Sequence, residues 1–342
     1  MTIRHFILKS LAAAIPVWIV LAIYIACDPF NVLRPKTSRA VALQAAGRNM
    51  GLVSVTTYLA HNDSAHYNSF IFGSSMSQNY RADHWKKYLP EGASVLHFDA
   101  TMETVDGIVD KIRFLNSHGT NIDNALIIIE EEMLRRQPLD NDILHVRPTA
   151  ITSEVSWWHF HTLYFNAYKN PLVMGWCIAP KHFAKTMESE GTITTDPAVR
   201  YEVSNEYRYN RFDSIINLNP DEFFNKERLR LIERSSDWMP EMQPELMTPH
   251  LTAKLKELKA LLEQNHANYM IIIQPRYHRQ LIDPADMALL YSLFGARHLR
   301  DYSRDSILTN DPKAYYDRQA HLTSKHCNAL LDRAYGPQPP AR

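Results

Sequence analysis

Short apolar runs alternate with longer amphipathic stretches along most of this chain. Phe70-Ile71-Phe72 ends in Gly73-Ser74-Ser75, and a helix-like stretch follows to about Tyr88, before Pro90 and Gly92. Strand-like runs recur at 94–98, 125–129 and 269–273, with a helical pattern over about 103–116 between the first two. Thr248 and Pro249 read as the N-cap and first position of a helix, on which Leu251, Leu255, Leu258 and Leu262 share one face. A helix at about 284–293, a short strand near 298–299 and a last helix over about 324–334 complete the series. Strands alternating with helices of about 10–15 residues predict an α/β fold with a doubly wound parallel sheet. The runs at 70–72, 94–98, 125–129 and 269–273 are apolar without strict alternation, which predicts interior strands buried on both faces.

Three segments stand outside this rhythm. Residues 10–27 form an uncharged apolar run, preceded by Arg4 and Lys9 and closed by Asp28. Its length of roughly 18 residues is near the lower limit for a membrane-spanning helix. A cleaved signal peptide has a shorter apolar region and small residues before its cleavage site, where this chain has Ile23, Tyr24 and Ile25. Lipid attachment at Cys27 would meet Tyr24 three positions upstream. The pattern therefore predicts an uncleaved anchor, kinked at Pro16. Arg34, Lys36, Arg39 and Arg48 follow the run, so charge bias alone favours neither side of the membrane. Residues 37–62 carry helix-like spacing at Val41, Leu43, Met50, Val53 and Tyr58 and read as a helical linker. Residues of about 135–245 hold Trp157, Trp158, Tyr164, Trp176 and Trp238 and read as an insertion over one edge of the sheet, its aromatics mostly packing a small core of their own.

Composition removes several function classes. The 342 residues include 37 basic and 37 acidic side chains, so no net charge is available for neutralising nucleic-acid phosphates. Only 10 glycines occur, with no GxxxxGK[ST] or GxGxxG motif, so no nucleotide cofactor is expected. Three scattered cysteines make neither a disulfide framework nor a zinc ribbon. His159 and His161, or His321 and His326, lack the carboxylate partners and spacing of a zinc site, so no metal is expected.

The chemistry concentrates in two places. Gly73-Ser74-Ser75 puts a serine just past a strand, where open parallel sheets build active sites. A serine hydroxyl is a weak nucleophile and needs a base. Asp317 and His321 lie just before the last helix; a histidine is a natural general base, and a carboxylate fixes its tautomer.

These residues resemble the SGNH (GDSL-type) hydrolase-like family, whose first block is a strand followed by Gly-[Asp/Ser]-Ser and whose last block is Asp-x-x-His before the final helix. The phrase RDYSRDSILTNDPKAYYDRQAHL is similar to the tail of its membrane-anchored branch, which includes relatives of the D-alanyl transfer protein of teichoic acid operons and of alginate acetylation proteins. The resemblance covers roughly residues 66–134 and 266–335. It implies Ser75 as nucleophile, His321 as base and Asp317 as its orienting partner, with Ser75 and Ala100 or Thr101 supplying oxyanion N–H groups. It also implies a cytoplasmic tail at 1–9, an anchor at 10–27, a linker at 28–66 and an extracytoplasmic SGNH/flavodoxin-like domain at 67–336. The chain departs from the family in three ways. HFDATMET replaces the glycine block, and Glu130, Glu131 and Glu132 stand where an asparagine belongs and would repel an oxyanion. Asp317 and His321 are four apart, not three, which requires a non-helical turn at Arg318, Gln319 and Ala320, ahead of a helix capped by Thr323 or Ser324. The implied function is esterase or O-acyltransferase chemistry on an acyl ester or envelope glycan, beside a membrane-bound O-acyltransferase. The alternative is an inactive scaffold or binding subunit of such a system.

Overall fold

The structure is a computed structural model that describes residues 3–35, 49–189, 199–233, 241–242, 244–278, 280–318 and 321–336. Its centre is a parallel sheet of β1 (Ser69–Gly73), β2 (Val95–His97), β3 (Asn124–Ile129), β4 (Asn268–Ile273) and β5 (Leu299–Asp301), in spatial order β2-β1-β3-β4-β5. The chain first winds outward from β1 to β2, then crosses back to β3 and continues the other way. That reversal puts helices on both faces and a topological switch point at the carboxyl ends of β1 and β3, where open α/β sheets commonly build their sites.

The strands are apolar on both faces because both faces are covered. On one side Phe70, Phe72, Ala125, Ile127, Ile271 and Ile273 meet α2 (Met50–Ala65), α3 (Val105–Ser117), α8 (Pro249–Gln264) and α9 (Pro284–His298). On the other side Ile71, Leu126, Ile128, Met270 and Ile272 share a core with Trp85 and with Leu330 and Leu331 of α10 (Ser324–Tyr335). The N-terminus of α8 forms as expected: the Thr248 side chain accepts from the Leu251 N–H at 3.1 Å, and the four leucines are buried.

Three expectations need correction. The run at 94–98 is not an interior strand. It contains the three-residue edge strand β2, whose free side is covered by the insertion: the His97 N–H donates to the Ser204 carbonyl (2.9 Å), and the Asn205 amide donates to the His97 carbonyl (2.7 Å). Its burial comes from that cover rather than from a second strand. The stretch from Ser75 to Tyr88 is not one helix but a 3₁₀ turn (Ser75–Asn79), a helical turn (Ala82–Trp85) and a second 3₁₀ turn (Lys86–Tyr88). Serine hydroxyls compete here with the helical ladder, as Ser77 does by donating to the Ser74 carbonyl at 2.8 Å. Within the expected linker, Val41 and Leu43 lie outside the described residues, and α2 begins at Met50 with Asn49 as its cap. Val55 and Tyr58 of α2 are buried in the main core, so this helix is a wall of the domain.

The long N-terminal helix α1 (Ile3–Cys27) contains Pro16 and is long and apolar enough to cross a membrane. Its end is finished by side chains. The Asp28 carboxylate accepts the N–H groups of Val32, Leu33 and Arg34, and the Arg34 guanidinium donates to the Ile25 and Ala26 carbonyls. The insertion contributes α4 (Trp157–Tyr168), α5 (Pro171–Ile178), α6 (Asn210–Leu218) and α7 (Lys226–Ile232). Tyr164 packs a small core, but one shared with Tyr24, Phe30 and Val32 rather than the insertion's own; Trp176 is half-buried, Trp157 and Trp158 are exposed, and Trp238 lies outside the described residues.

Candidate active site

Gly73 turns the chain at the end of β1. Its φ of +152° is rarely adopted by side-chain-bearing residues, and a Cβ there would stand 2.8 Å from the Ser77 Cβ and 2.9 Å from the Ile128 carbonyl oxygen. Ser74 then caps the 3₁₀ turn, accepting from the Met76 N–H at 3.2 Å. Ser75 is the first residue of that turn and only half-buried. Its N–H therefore belongs to the group of amides that a helical turn leaves without an internal acceptor.

The histidine arrives on a loop between α9 and α10. Tyr315 and Leu322 form an antiparallel bridge, the Tyr316 N–H donates to the His321 carbonyl (2.8 Å), and the Thr323 N–H donates to the Ala314 carbonyl (2.8 Å). This pinned reversal answers the four-residue spacing. Asp317 sits on one arm and His321 on the other, so the carboxylate reaches the ring across the loop and not along a helix. His321 Nε2 lies 2.9 Å from Ser75 Oγ. On its far side, Nδ1 lies 2.9 Å from Asp317 Oδ2 and 3.1 Å from Oδ1. One tautomer serves both contacts: Nδ1–H donates to the carboxylate, and Nε2 accepts from the serine hydroxyl. The His321 side chain is 16% exposed and that of Asp317 42%, so the base is sheltered while its partner faces solvent. Arg318 is in a turn; Gln319 and Ala320 lie outside the described residues. Thr323 occupies the N-cap position of α10 but does not cap it: its hydroxyl contacts His326 Nδ1 at 2.7 Å.

The structure does not bring the expected second oxyanion donor to Ser75. The Ala100 N–H is already donated to the Gly73 carbonyl at 3.2 Å. Thr101 lines a small cleft with Gly51, Glu103 and Arg147, and no described contact joins it to Ser75. The three glutamates after β3 are not the bare anions that their sequence suggests. Arg136 lies 3.3 Å from Glu130 and 3.4 Å from Glu132, and Arg276 pairs with both Glu131 and Glu132. Burial pushes the carboxyls of Glu130 and Glu131 up, against the pull of these arginines. Arg276 follows β4 as Ser75 follows β1, and that position at a strand's carboxyl end was the available signal for it.

Sequence reasoning also missed the bracing of the histidine loop. The Tyr316 hydroxyl donates to Asp213 of α6, and Arg81 pairs with the same carboxylate. Arg228 of α7 donates to the Tyr316 carbonyl and stacks over Phe223, 3.9 Å from the ring centre. The insertion thus grips the loop that carries the base. Among the described residues, no group of three or more His, Cys, Asp and Glu side chains is arranged to hold a metal.

No family model matches the chain, and no curated protein matches it. What the arrangement can do is fixed by its own geometry. A hydroxyl, an imidazole and a carboxylate are linked in series at the carboxyl end of a central strand. Such a chain moves the serine proton to the imidazole as the oxygen attacks, and the carboxylate steadies the imidazolium.

Proposed function

We propose that this chain is a membrane-anchored, SGNH-like serine esterase or O-acyltransferase that works through an acyl-serine at Ser75. The observation that carries this reading is the hydrogen-bonded series Ser75–His321–Asp317, assembled from positions 246 residues apart. His321 Nε2 takes the hydroxyl proton while Ser75 Oγ bonds to the ester carbonyl carbon. The imidazolium then returns that proton to the departing alkoxide. Water or a glycan hydroxyl, deprotonated by the same nitrogen, releases the acyl group. The Ser75 N–H is the candidate donor to the oxyanion. The anchored arrangement favours an acyl ester or glycan of the cell envelope outside the cytoplasm, with a membrane-bound O-acyltransferase as a natural donor-side partner.

The Ala100 N–H, already donated to Gly73, and the glutamates that stand where an asparagine donor would belong favour a second reading, an inactive scaffold of such a system. A serine-directed fluorophosphonate separates the two. The catalytic reading expects covalent labelling of the folded wild-type chain and none of Ser75→Ala. A folded wild type that stays unlabelled puts the scaffold first.

A further inference from the structure

The insertion holds the end of α1 and leaves apolar surface around it. Tyr24 packs against Phe165 and Tyr168 with ring centres 5.3 and 4.9 Å apart, and the Tyr168 hydroxyl donates to the Val20 carbonyl at 3.2 Å. The last turns of α1 thus belong to the domain's own core, while the helix up to Ile19 stands free, with Phe6, Leu11, Ile15, Trp18 and Ile19 among its exposed apolar side chains. Beside the gripped turns, α4 opens with Trp157 and Trp158, 55% and 76% exposed and edge-to-face at 4.8 Å. With Leu21, Tyr24, Ile25 and Leu33 they line an open cleft of about 280 Å³.

Length sets the depth of this surface. A bilayer's hydrocarbon core is ~30 Å thick and takes ~20 helical residues. Lys9 is the last charge before the apolar run, and 20 residues counted from Ser10 pass the helix end at Cys27. Even with Arg4 and Lys9 reaching back to the headgroups, the free helix from Ile3 to Ile19 covers only ~26 Å at ~1.5 Å per residue. A membrane crossed by α1 therefore takes in the turn that carries Leu21 wherever the span begins, and that of Ile25 when it begins at Ser10, which brings the tryptophans beside those turns to its interfacial layer. Indole rings favour that layer because they are apolar with one polar edge. Arg34 is exposed and held against the Ile25 and Ala26 carbonyls, so a membrane reaching those turns would meet its guanidinium with the lipid phosphates.

We propose that Trp157, Trp158 and the cleft between α4 and α1 form a lipid-binding collar. Bilayer phospholipid occupies it, with an acyl chain in the cleft and the indoles among the headgroups. The proposal rests on the reading of α1 as a membrane span. The collar fixes the domain's tilt on the membrane and with it the direction in which Ser75 and His321 face.

The test uses the purified full-length protein in phosphatidylglycerol–phosphatidylcholine nanodiscs, with the photoreactive residue benzoylphenylalanine placed at position 158, 15 or 307. Ile15 is mid-anchor, and Ile307 is an exposed apolar side chain, 77% accessible, on the α/β domain. Mass spectrometry after illumination should find lipid adducts at 15 and 158 and none at 307. Adducts at 15 with none at 158, equal labelling at 158 and 307, or crosslinks from 158 only to a second copy of the chain overturn the collar and leave the anchor standing. Absence of lipid adducts at 15 overturns the anchor itself, and the collar with it.

Discussion

At the residue scale, the site depends on three side chains and one missing Cβ. Among the described residues, His321 is the one group hydrogen-bonded to Ser75 Oγ that can take its proton, so in His321→Ala fluorophosphonate labelling should fall to the level of Ser75→Ala. Asp317→Asn leaves the shape but favours the wrong tautomer, and its cost should be about 10²–10⁴-fold in labelling rate. The 42% exposure of Asp317 argues for the lower part of that range, since solvent screens the carboxylate. Gly73→Ala meets a backbone carbonyl at 2.9 Å, and Ile128 in β3 cannot retreat without breaking its register. That variant should lose labelling through displacement of Ser75, with Ser75–His321 separation in its crystal structure as the check. The Gly-Ser-Ser and Asp…His pairs were legible in the sequence because each needs a particular residue type at a turn. The bridge between Tyr315 and Leu322, which makes a four-residue spacing workable, was not: it is a backbone pairing that depends on where α10 docks.

At the element scale, local rules held where a segment's own residues satisfy them. Thr248 caps α8 with its own hydroxyl, so Thr248→Ala should cost about 1 kcal/mol in denaturant unfolding. The edge strand β2 behaves differently, since its stability is borrowed from the insertion. Asp99, just beyond it, is fully buried; burial pushes its carboxyl up, but Arg200 at 2.9 Å holds it below the ordinary aspartate range. A lowered folded-state pKa means stabilisation that is present above the unfolded value of ~4 and is lost as pH falls through the folded value. In Arg200→Met the sign reverses, because the buried carboxyl then loses its ion-pair partner and keeps only neutral amide donors, chiefly Gln78 at 2.8 Å, so burial raises it above ~4 and penalises it at neutral pH. The variant should be about 3–5 kcal/mol less stable at pH 7, with the deficit shrinking as pH falls toward ~4, read from unfolding curves across pH.

At the scale of the whole molecule, the insertion is the part that joins everything else. It covers β2, braces the histidine loop through Asp213 and Arg228, and encloses the end of α1 with Tyr164 and Tyr168. Sedimentation should leave the full-length chain in the membrane fraction after high salt and alkaline carbonate. Recovery of a soluble mature form starting near residue 28 would show cleavage instead and refute the anchor. Such a form would also uncover Phe165 and Tyr168, which pack against Tyr24, so loss of α1 should promote self-association visible by light scattering.

The sequence alone was enough for the alternation of strands and helices, the parallel class of the sheet, the apolar N-terminal helix and the serine and histidine turns. Each of these is written in periodicity, run length or a turn residue, and so depends on neighbours within a few positions. Only the tertiary structure decided that 94–98 lies at an edge, that α2 is a wall of the core, that Arg136 and Arg276 pair with the glutamates, and that Ser75, His321 and Asp317 meet. Those outcomes turn on which surfaces pack together. A buried edge strand and a buried central strand select the same side chains, and a charge reveals its partner only when distant parts of the chain are brought together.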